Sequence, residues 1–184
     1  MNRIEKIYED AENGVSVRIR FMPGDVGQIT YLHGVVYDEE YGLDTTFEAY
    51  VAKPLAEFAL SQGNPRQRIW IVEKNGIVCG CAAVVEHSRE QAQFRWLLLS
   101  SDARGVGLGR RLIDWALRFC RDQGYRSVFL WTFSELEAAA HLYRSHEFKL
   151  TEEKTHTIWG RELTEQRYDL RFSCQKGASH GLPC

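Results

Sequence analysis

The chain has 184 residues, with 23 Lys or Arg and 25 Asp or Glu, so its formal net charge is −2 at pH 7. A composition of 44% hydrophobic and 26% charged residues predicts a globular chain, and the lack of a basic excess argues against a nucleic-acid partner. No stretch approaches 18 consecutive apolar residues, and the first residues lack the apolar segment of a signal peptide. We expect a cytoplasmic protein without a membrane partner, with a single domain over residues 1–172 and a flexible tail over residues 173–184.

Hydrophobic periodicity in the first half predicts a strand, two amphipathic helices and a hairpin. The strand alternates apolar and polar residues, whereas the helices have apolar residues at three- and four-residue spacing. The Asn75-Gly76 pair favours the tight turn that joins two hairpin strands. The predicted elements cover residues 15–21, 26–41, 46–61, 68–74 and 77–86.

The second half predicts strands that alternate with helices. Gly124 ends one helix, and Ser134 with Glu137 forms the capping box of the next. The predicted strands cover residues 93–101, 126–133, 148–156 and 167–172, and the helices cover 110–123 and 135–145. The resulting order, β-αα-βββ-α-β-α-ββ, indicates a mixed α/β fold with a central antiparallel section.

Five cysteines, an odd number, predict free thiols rather than a disulfide framework, and no Cys- and His-rich segment indicates a metal site. Cys79 and Cys81 lie two apart in an apolar strand, so we expect both on one face of the sheet as buried thiols. Cys174 and Cys184 fall in the predicted tail.

A glycine- and arginine-rich loop between a strand and a helix is the most informative feature. Its residues are Arg104, Gly105, Val106, Gly107, Leu108, Gly109, Arg110 and Arg111. Glycines let main-chain N–H groups approach a ligand, and the helix N-terminus and three arginines favour a phosphate. A dinucleotide fingerprint would need glycine at Arg110, and a Walker A loop would need a Gly-Lys-Ser/Thr ending, so neither applies. The alternative is a tight turn without a ligand.

The spacing of Arg104, Gly107 and Gly109, after an apolar strand at 96–99 and before Leu112, resembles the pyrophosphate-binding motif of the GNAT superfamily of N-acetyltransferases. The resemblance continues through residues 130–148. Residues 33–51 and 152–163 are similar to GNAT domains often fused to MarR-type regulators, but no winged-helix segment precedes them, so we do not expect DNA binding. The resemblance implies a mainly antiparallel sheet flanked by helices, with its fourth and fifth strands splayed apart.

The resemblance also implies that acetyl-CoA is the cofactor and lies in the splayed gap. Leu97, Leu98 and Leu99 would contact its pantetheine and acetyl groups, and the loop from Arg104 to Arg111 would hold its pyrophosphate. Tyr143 matches the tyrosine that protonates the departing thiolate, unless it is an ordinary aromatic on an amphipathic helix. Gln93 stands where many members carry a glutamate base. Glu86 is therefore our candidate for the base, with His87 and the acceptor-side residues as alternatives.

The resemblance further implies that the first two helices shape acceptor entry, so acceptor binding is expected there through His33, Tyr37, Glu40 and Glu48, with Tyr41 nearby. The carboxylates there favour a cationic amine, either a small molecule or a protein lysine, although a solvated helix face would look the same. Strand edges near the C-terminus could pair two copies into a homodimer.

Three residues depart from the family pattern: Ser101, Phe133 and Glu147 replace a common proline, asparagine and glycine. Glu147 is expected to require a positive φ at the end of its helix. The leading interpretation is an enzyme that transfers acetyl from acetyl-CoA to a primary amine by direct attack. The alternative is a non-catalytic acyl-CoA-binding sensor.

Overall fold

Eight strands form one sheet in the computed structural model, which describes residues 6–61 and 63–173. In chain order they are β1 Lys6–Asp10, β2 Val15–Arg18, β3 Arg68–Lys74, β4 Ile77–Glu86, β5 Gln91–Leu99, β6 Ser127–Phe133, β7 Lys149–Ile158 and β8 Arg161–Arg171. Across the sheet the order is β1-β2-β3-β4-β5-β6-β8-β7. All neighbours are antiparallel except β5 and β6, which are parallel.

Four described helices cover the two faces of this sheet. They are α1 Asp25–Tyr41, α2 Thr45–Leu60, α3 Leu108–Asp122 and α4 Glu137–Ser145. Ile29 of α1 and Leu55 of α2 pack with Ile71 on one face, whereas Leu112 of α3 and Ala140 of α4 belong to the core on the other. None of the helices in the described part of the chain is both long and apolar enough to cross a membrane.

The predicted α/β fold class is confirmed, and the largest omission is β1. Its sequence, KIYED, carries three charges in five residues and is mostly exposed, so it lacks the alternating apolar signal of a half-buried strand. Because of β1, the strands predicted as fourth and fifth are β5 and β6. The predicted tail, with Cys174 and Cys184, lies outside the described residues except for Ser173.

The parallel strands β5 and β6 separate soon after they meet. They pair only where Gln91–Gln93 faces Ser127–Phe129, which confirms the predicted splay. Beyond Gln93 the side of β5 that faces β6 has no strand partner among the described residues. On its other side β5 bulges against β4, where the register shifts between Cys81 and Ala83 and Trp96 adopts a φ of 53°.

The prediction that Cys79 and Cys81 share one face is wrong, although both are buried free thiols. Cys79 packs in the core under α3, and Cys81 packs with α1 and α2 on the opposite face. The reason is a bulge in β4, where the register with β3 shifts between Val72 and Glu73. One extra residue in a strand reverses the face of the next side chain.

A buried ion-pair cluster joins the sheet to the start of α1. Arg18 is 2% exposed and donates to both carboxylate oxygens of Asp25 at 2.7 Å, while its Nε lies 2.8 Å from Glu73 Oε1. Asp25 is the first residue of α1, where the helix dipole favours a negative charge. The cluster thus ties β2, β3 and α1 together.

Candidate active site

A cavity of about 530 Å³ occupies the gap between β5 and β6. Residues of all four helices also line it: the last turns of α1, the first turns of α2 and α3, and one face of α4. Its wall is largely apolar and aromatic. The aromatic residues in the wall are Tyr37, Tyr41, Phe47, Tyr50, Phe94, Trp96, Trp131, Phe133, Tyr143 and Trp159.

The glycine-rich loop meets this cavity with its main chain. Gly105 and Gly107 both have a φ of 81°, a left-handed conformation that favours glycine, and Gly107 is the N-cap of α3. A Cβ built at either glycine would meet no atom within 4 Å, so the space in front of them is open. No side chain caps α3, and no acidic residue lies in its first turn. Its first N–H groups are therefore available to an anion.

Of the eleven residues predicted to bind the cofactor, the structure brings nine to the cavity wall. These are Leu97, Leu98, Leu99, Arg104, Gly105, Gly107, Leu108, Gly109 and Arg110. Val106 is half exposed and lies outside the wall. Arg111 also lies outside it, with its guanidinium 5.1 Å from the ring centre of Tyr8 on β1.

The two arginines in the wall differ in what they contact. Arg104 donates through Nε to the carbonyl of Leu99 at 2.8 Å and pairs with Glu40 at 2.8 Å. Its guanidinium is therefore already occupied by protein groups and links the loop to the end of α1. Arg110 forms no ion pair within residues 6–61 and 63–173, which leaves its charge available to a ligand in the cavity.

Tyr143 reaches the cavity from α4 while its ring belongs to the core. The residue is 5% exposed, and its ring lies 6.0 Å from the rings of Phe148 and Tyr168. Burial raises the pKa of the phenol well above its ordinary value, so the group stays protonated at neutral pH. The hydroxyl makes no hydrogen bond to another described residue, and Tyr143 lines the cavity. It is a proton donor without a hydrogen-bond partner in the described part of the chain.

The proposed base Glu86 does not lie in the cavity wall. Its carboxylate accepts from Asn64 Nδ2 at 3.0 Å and from Arg66 Nε at 2.6 Å, at the far end of β4. These two bonds lower the pKa of Glu86, which makes it a poorer base. The expectation of a catalytic Glu86 is therefore corrected to a structural role. His87 also lies outside this wall, 5.0 Å from the ring of Phe129.

The residues predicted to bind the acceptor separate into two groups. His33, Tyr37 and Glu40 line the cavity, whereas Glu48 is exposed on α2 and faces Gly34 of α1. His33 is buried, and its Nδ1 lies 2.8 Å from the carbonyl of Ile29. Burial lowers the pKa of His33 to about 4, so it is uncharged at neutral pH. Glu40 is held by Arg104. The acidic cluster therefore presents no free carboxylate to the cavity.

Several residues in the wall carried no local signal in the sequence. Thr132 Oγ1 and Trp96 Nε1 are buried polar atoms without a partner in the described part of the chain, and both residues line the cavity. Arg95 and Glu165 also reach the wall, with Glu165 Oε2 2.7 Å from His156 Nε2. Only the sheet pairing brings these residues of β5, β6 and β8 together. Within the described residues there is no group of three or more His, Cys, Asp or Glu that could hold a metal ion.

Comparisons with known proteins agree with this geometry. A family model described as the acetyltransferase (GNAT) family matches residues 36–148. N-acetyltransferase family 8 member 2 of Rattus norvegicus is 35% identical over 111 residues, which make up 55% of this chain and 49% of that protein. The chain spans about half the length of the rat and mouse relatives it matches.

Solved structures share the fold at low sequence identity. A putative acetyltransferase, yncA of Salmonella typhimurium, solved with its cofactor acetyl-CoA, superposes with a TM-score of 0.69 at 20% identity. That match covers 86% of this chain and 94% of the other. A GNAT family acetyltransferase of Elizabethkingia anophelis with acetyl-CoA bound gives a TM-score of 0.58 at 12% identity, over 87% and 99% of the two chains.

Proposed function

Because the chain belongs to the GNAT acetyltransferase family, we propose that it binds acetyl-CoA in the gap between β5 and β6 and acetylates the nitrogen of a primary amine. One observation carries the proposal. One cavity is lined by Gly105 and Gly107, by the part of β5 beyond its pairing with β6, and by Tyr143.

The residues of the cavity suit the cofactor. The N-terminus of α3 and the guanidinium of Arg110 match a pyrophosphate in charge and in hydrogen-bond donors. The unpaired side of β5 beyond Gln93 offers main-chain groups to an amide-containing pantetheine arm, as a sheet edge does to an added strand. When bound, acetyl-CoA supplies an acetyl group activated as a thioester.

Tyr143 is proposed as the general acid. Its raised pKa means that the phenol is protonated at neutral pH but is a weaker acid than an exposed phenol, so the assignment rests on position. Tyr143 lines the cavity, and no described residue accepts a hydrogen bond from its hydroxyl. As the amine nitrogen bonds to the acetyl carbon and the carbon–sulfur bond breaks, Tyr143 donates its proton to the departing thiolate. The phenol then regains a proton from solvent.

Removal of the amine proton is assigned to solvent rather than to a carboxylate. Glu40 is paired with Arg104, Glu165 lies against His156, and Gln93 cannot accept a proton. His33 is a weak base because burial lowers its pKa to about 4. We therefore expect turnover to rise with pH as the neutral fraction of the amine increases.

Cofactor binding is tested with two neighbouring arginines of the loop. Arg110→Ala removes a guanidinium from the cavity wall, whereas the matched control Arg111→Ala removes one that lies against Tyr8. We expect Arg110→Ala to weaken acetyl-CoA binding about 10-fold by calorimetry, because a hydrogen bond to a charged group contributes about 1.5–3 kcal/mol. Arg111→Ala should leave the affinity within about 2-fold. Equal effects of the two substitutions would contradict this placement of the pyrophosphate.

Release of free CoA thiol distinguishes the enzyme hypothesis from the hypothesis of a non-catalytic sensor. An enzyme releases free CoA thiol when it is incubated with acetyl-CoA and a panel of primary amines, and the release requires an amine. A non-catalytic sensor binds acetyl-CoA but releases no thiol with any amine. Tyr143 favours the enzyme, because it lines the cavity and its hydroxyl makes no hydrogen bond within the described residues.

A homodimer and a protein lysine as acceptor stay predictions, as does the similarity to the GNAT domains that are often fused to MarR-type regulators. The dimer prediction has one candidate surface, the outer side of β7 at the end of the sheet. Sedimentation of the purified chain would test it, and a monomer at all concentrations would exclude it.

A further inference from the structure

A second cavity of about 580 Å³ adjoins the first and opens beside α2. The two cavities share Tyr50, Gln93, Arg95 and Trp131 in their walls. The second cavity therefore adjoins the first near Gln93, where β5 and β6 still pair, whereas the glycine-rich loop follows the other end of β5. If acetyl-CoA occupies the loop side, the second cavity is the route left for the acceptor.

Arg95 is the charged residue common to both cavities, and its guanidinium forms no ion pair with another described residue. No carboxylate lies within 4.0 Å of its guanidinium in the described ranges 6–61 and 63–173, in contrast to Arg18, which holds two. The guanidinium lies 4.9 Å from the ring centre of Trp96 and is only partly exposed. Burial lowers the pKa of Arg95, which reflects the cost of keeping this cation away from water. A half-buried guanidinium without an anion is a ready carboxylate site.

The charges around the second cavity are mostly positive. Lys53, Arg95 and Arg167 line it, and Glu57 is its one carboxylate among the described residues. Arg167 is neutralised by Asp169, to which it donates at 2.8 and 3.0 Å. Lys53 and Arg95 therefore outweigh Glu57. This differs from the acidic acceptor site expected from the sequence, because neither Glu40 nor Glu48 lines the second cavity.

We propose that the acceptor is a small amine that also carries a carboxylate, and that Arg95 binds this carboxylate. The proposal rests on the proposed acetyltransferase function. Arg95 lies three residues before Leu98 on β5, about 10 Å at full strand extension and less across the bulge. That distance joins main-chain positions, whereas the amine of an amino acid lies only two bonds from its carboxylate carbon. The long Arg95 side chain, which lines both cavities, therefore has to bring the bound carboxylate toward the acetyl group. Tyr50 and Trp131 offer aromatic surface to an apolar side chain of the same molecule.

The test compares amino acids with their primary carboxamides, which differ in the carboxylate. L-phenylalanine, L-leucine and L-methionine are each assayed against the matching amide by release of CoA thiol. We expect wild type to prefer the acids, and Arg95→Gln to lower kcat/KM for the acids about 10-fold or more while changing the amides less than about 2-fold. Arg95→Lys should retain part of the preference, and Glu57→Gln should increase it by removing a repulsive charge.

Calorimetric titration of L-phenylalanine and L-phenylalaninamide provides a readout that does not need turnover. Tighter binding of the acid that disappears in Arg95→Gln supports the proposal even if no thiol is released, a result that would reject only the enzyme. Thiol release without an acid preference, or an equal loss for acids and amides in Arg95→Gln, overturns the carboxylate site and leaves the acetyltransferase standing. If neither probe binds and no acid is acetylated, the carboxylate proposal is also wrong. Melting temperatures of both Arg95 variants check that they are folded.

Discussion

The ring of Tyr143 packs in the core, whereas its hydroxyl has no hydrogen-bond partner among the described residues. The ring packs against Phe148 and Tyr168. Tyr143→Phe should therefore keep the core intact and leave acetyl-CoA affinity nearly unchanged. We expect kcat to fall about 100-fold, the lower range for loss of a general acid.

Steady-state kinetics and calorimetry on Tyr143→Phe check this prediction. Tyr125→Phe is the matched control, because it also removes a buried tyrosine hydroxyl, one that donates to the Arg66 carbonyl outside the cavity. Unchanged kcat in Tyr143→Phe, or an equal loss in both variants, would remove Tyr143 from the acid role.

His33 makes the protein sensitive to mild acid. Burial lowers the pKa of the folded imidazole to about 4, whereas an unfolded histidine titrates near 6.5. As the pH falls below about 6.5, His33 becomes protonated in the unfolded chain but stays neutral in the folded chain. The free energy of unfolding therefore decreases by up to about 1.4 kcal/mol per pH unit. The stabilisation is complete above that range and is lost progressively toward pH 4.

Urea unfolding at pH 7, 6 and 5 compares wild type with His33→Asn, which lacks the titrating group but can still donate to the Ile29 carbonyl. We expect the wild type to lose more stability than His33→Asn over this range. Parallel pH dependences would show that His33 is not the group responsible.

At the scale of elements, the end of α4 has a left-handed residue that is not glycine. Glu147 follows the helix with a φ of 68°, as the sequence predicts, and such a conformation costs about 1–2 kcal/mol for a residue with a Cβ. Glu147→Gly should raise the melting temperature by about 2–4 °C, since part of the gain is offset by the entropy of glycine in the unfolded chain. Glu147→Ala is the control, because alanine retains the strain. A rise of the same size in Glu147→Ala would assign the effect to the lost charge.

Local patterns predict the strand-loop-helix around the glycines, because φ angles and helix starts are set by nearby residues. The loop from Arg104 to Arg110 reaches the cavity for that reason. Side-chain partners, in contrast, cannot be predicted from local patterns. Glu86 pairs with Arg66, twenty positions earlier, and Glu40 pairs with Arg104. Neither pairing has a signature in the sequence, so the roles assigned to these carboxylates depended on tertiary contacts that no local pattern contains.

Strand faces were misjudged where the ladder is irregular. A bulge reverses the expected sides of Cys79 and Cys81, and a second bulge turns Trp96 to a positive φ beside the cavity. Alternation predicts faces only in a regular strand. The importance of Arg95, next to the second bulge, could not be recognised before the pairing of β5 with β4 was known.

At the scale of the whole molecule, Arg18 holds the helical layer of α1 to the sheet. Because it is buried and pairs with Asp25 and Glu73, Arg18→Leu would leave both carboxylates without their cation. We expect a loss of about 3–5 kcal/mol in the free energy of unfolding, a large part of the stability of a typical domain. Urea unfolding measures it.

The control for Arg18 is Arg126→Leu. Arg126 pairs with Glu90 at 3.1 Å, but both side chains are mostly exposed, so its loss should change stability little. Similar losses in both variants would mean that the burial of the Arg18 cluster is not what makes it important.

The position of β8 between β6 and β7 also means that the sheet cannot be completed during synthesis until β8 has been made. β8 comes after both neighbours in the chain, so the edge of β6 stays open until Arg161–Arg171 has been made. Before then β6 is joined within the sheet by only three residue pairs to β5. A nascent chain that stops short of residue 161 therefore exposes the edge of an apolar strand, the kind of surface that chaperones shield and that otherwise aggregates.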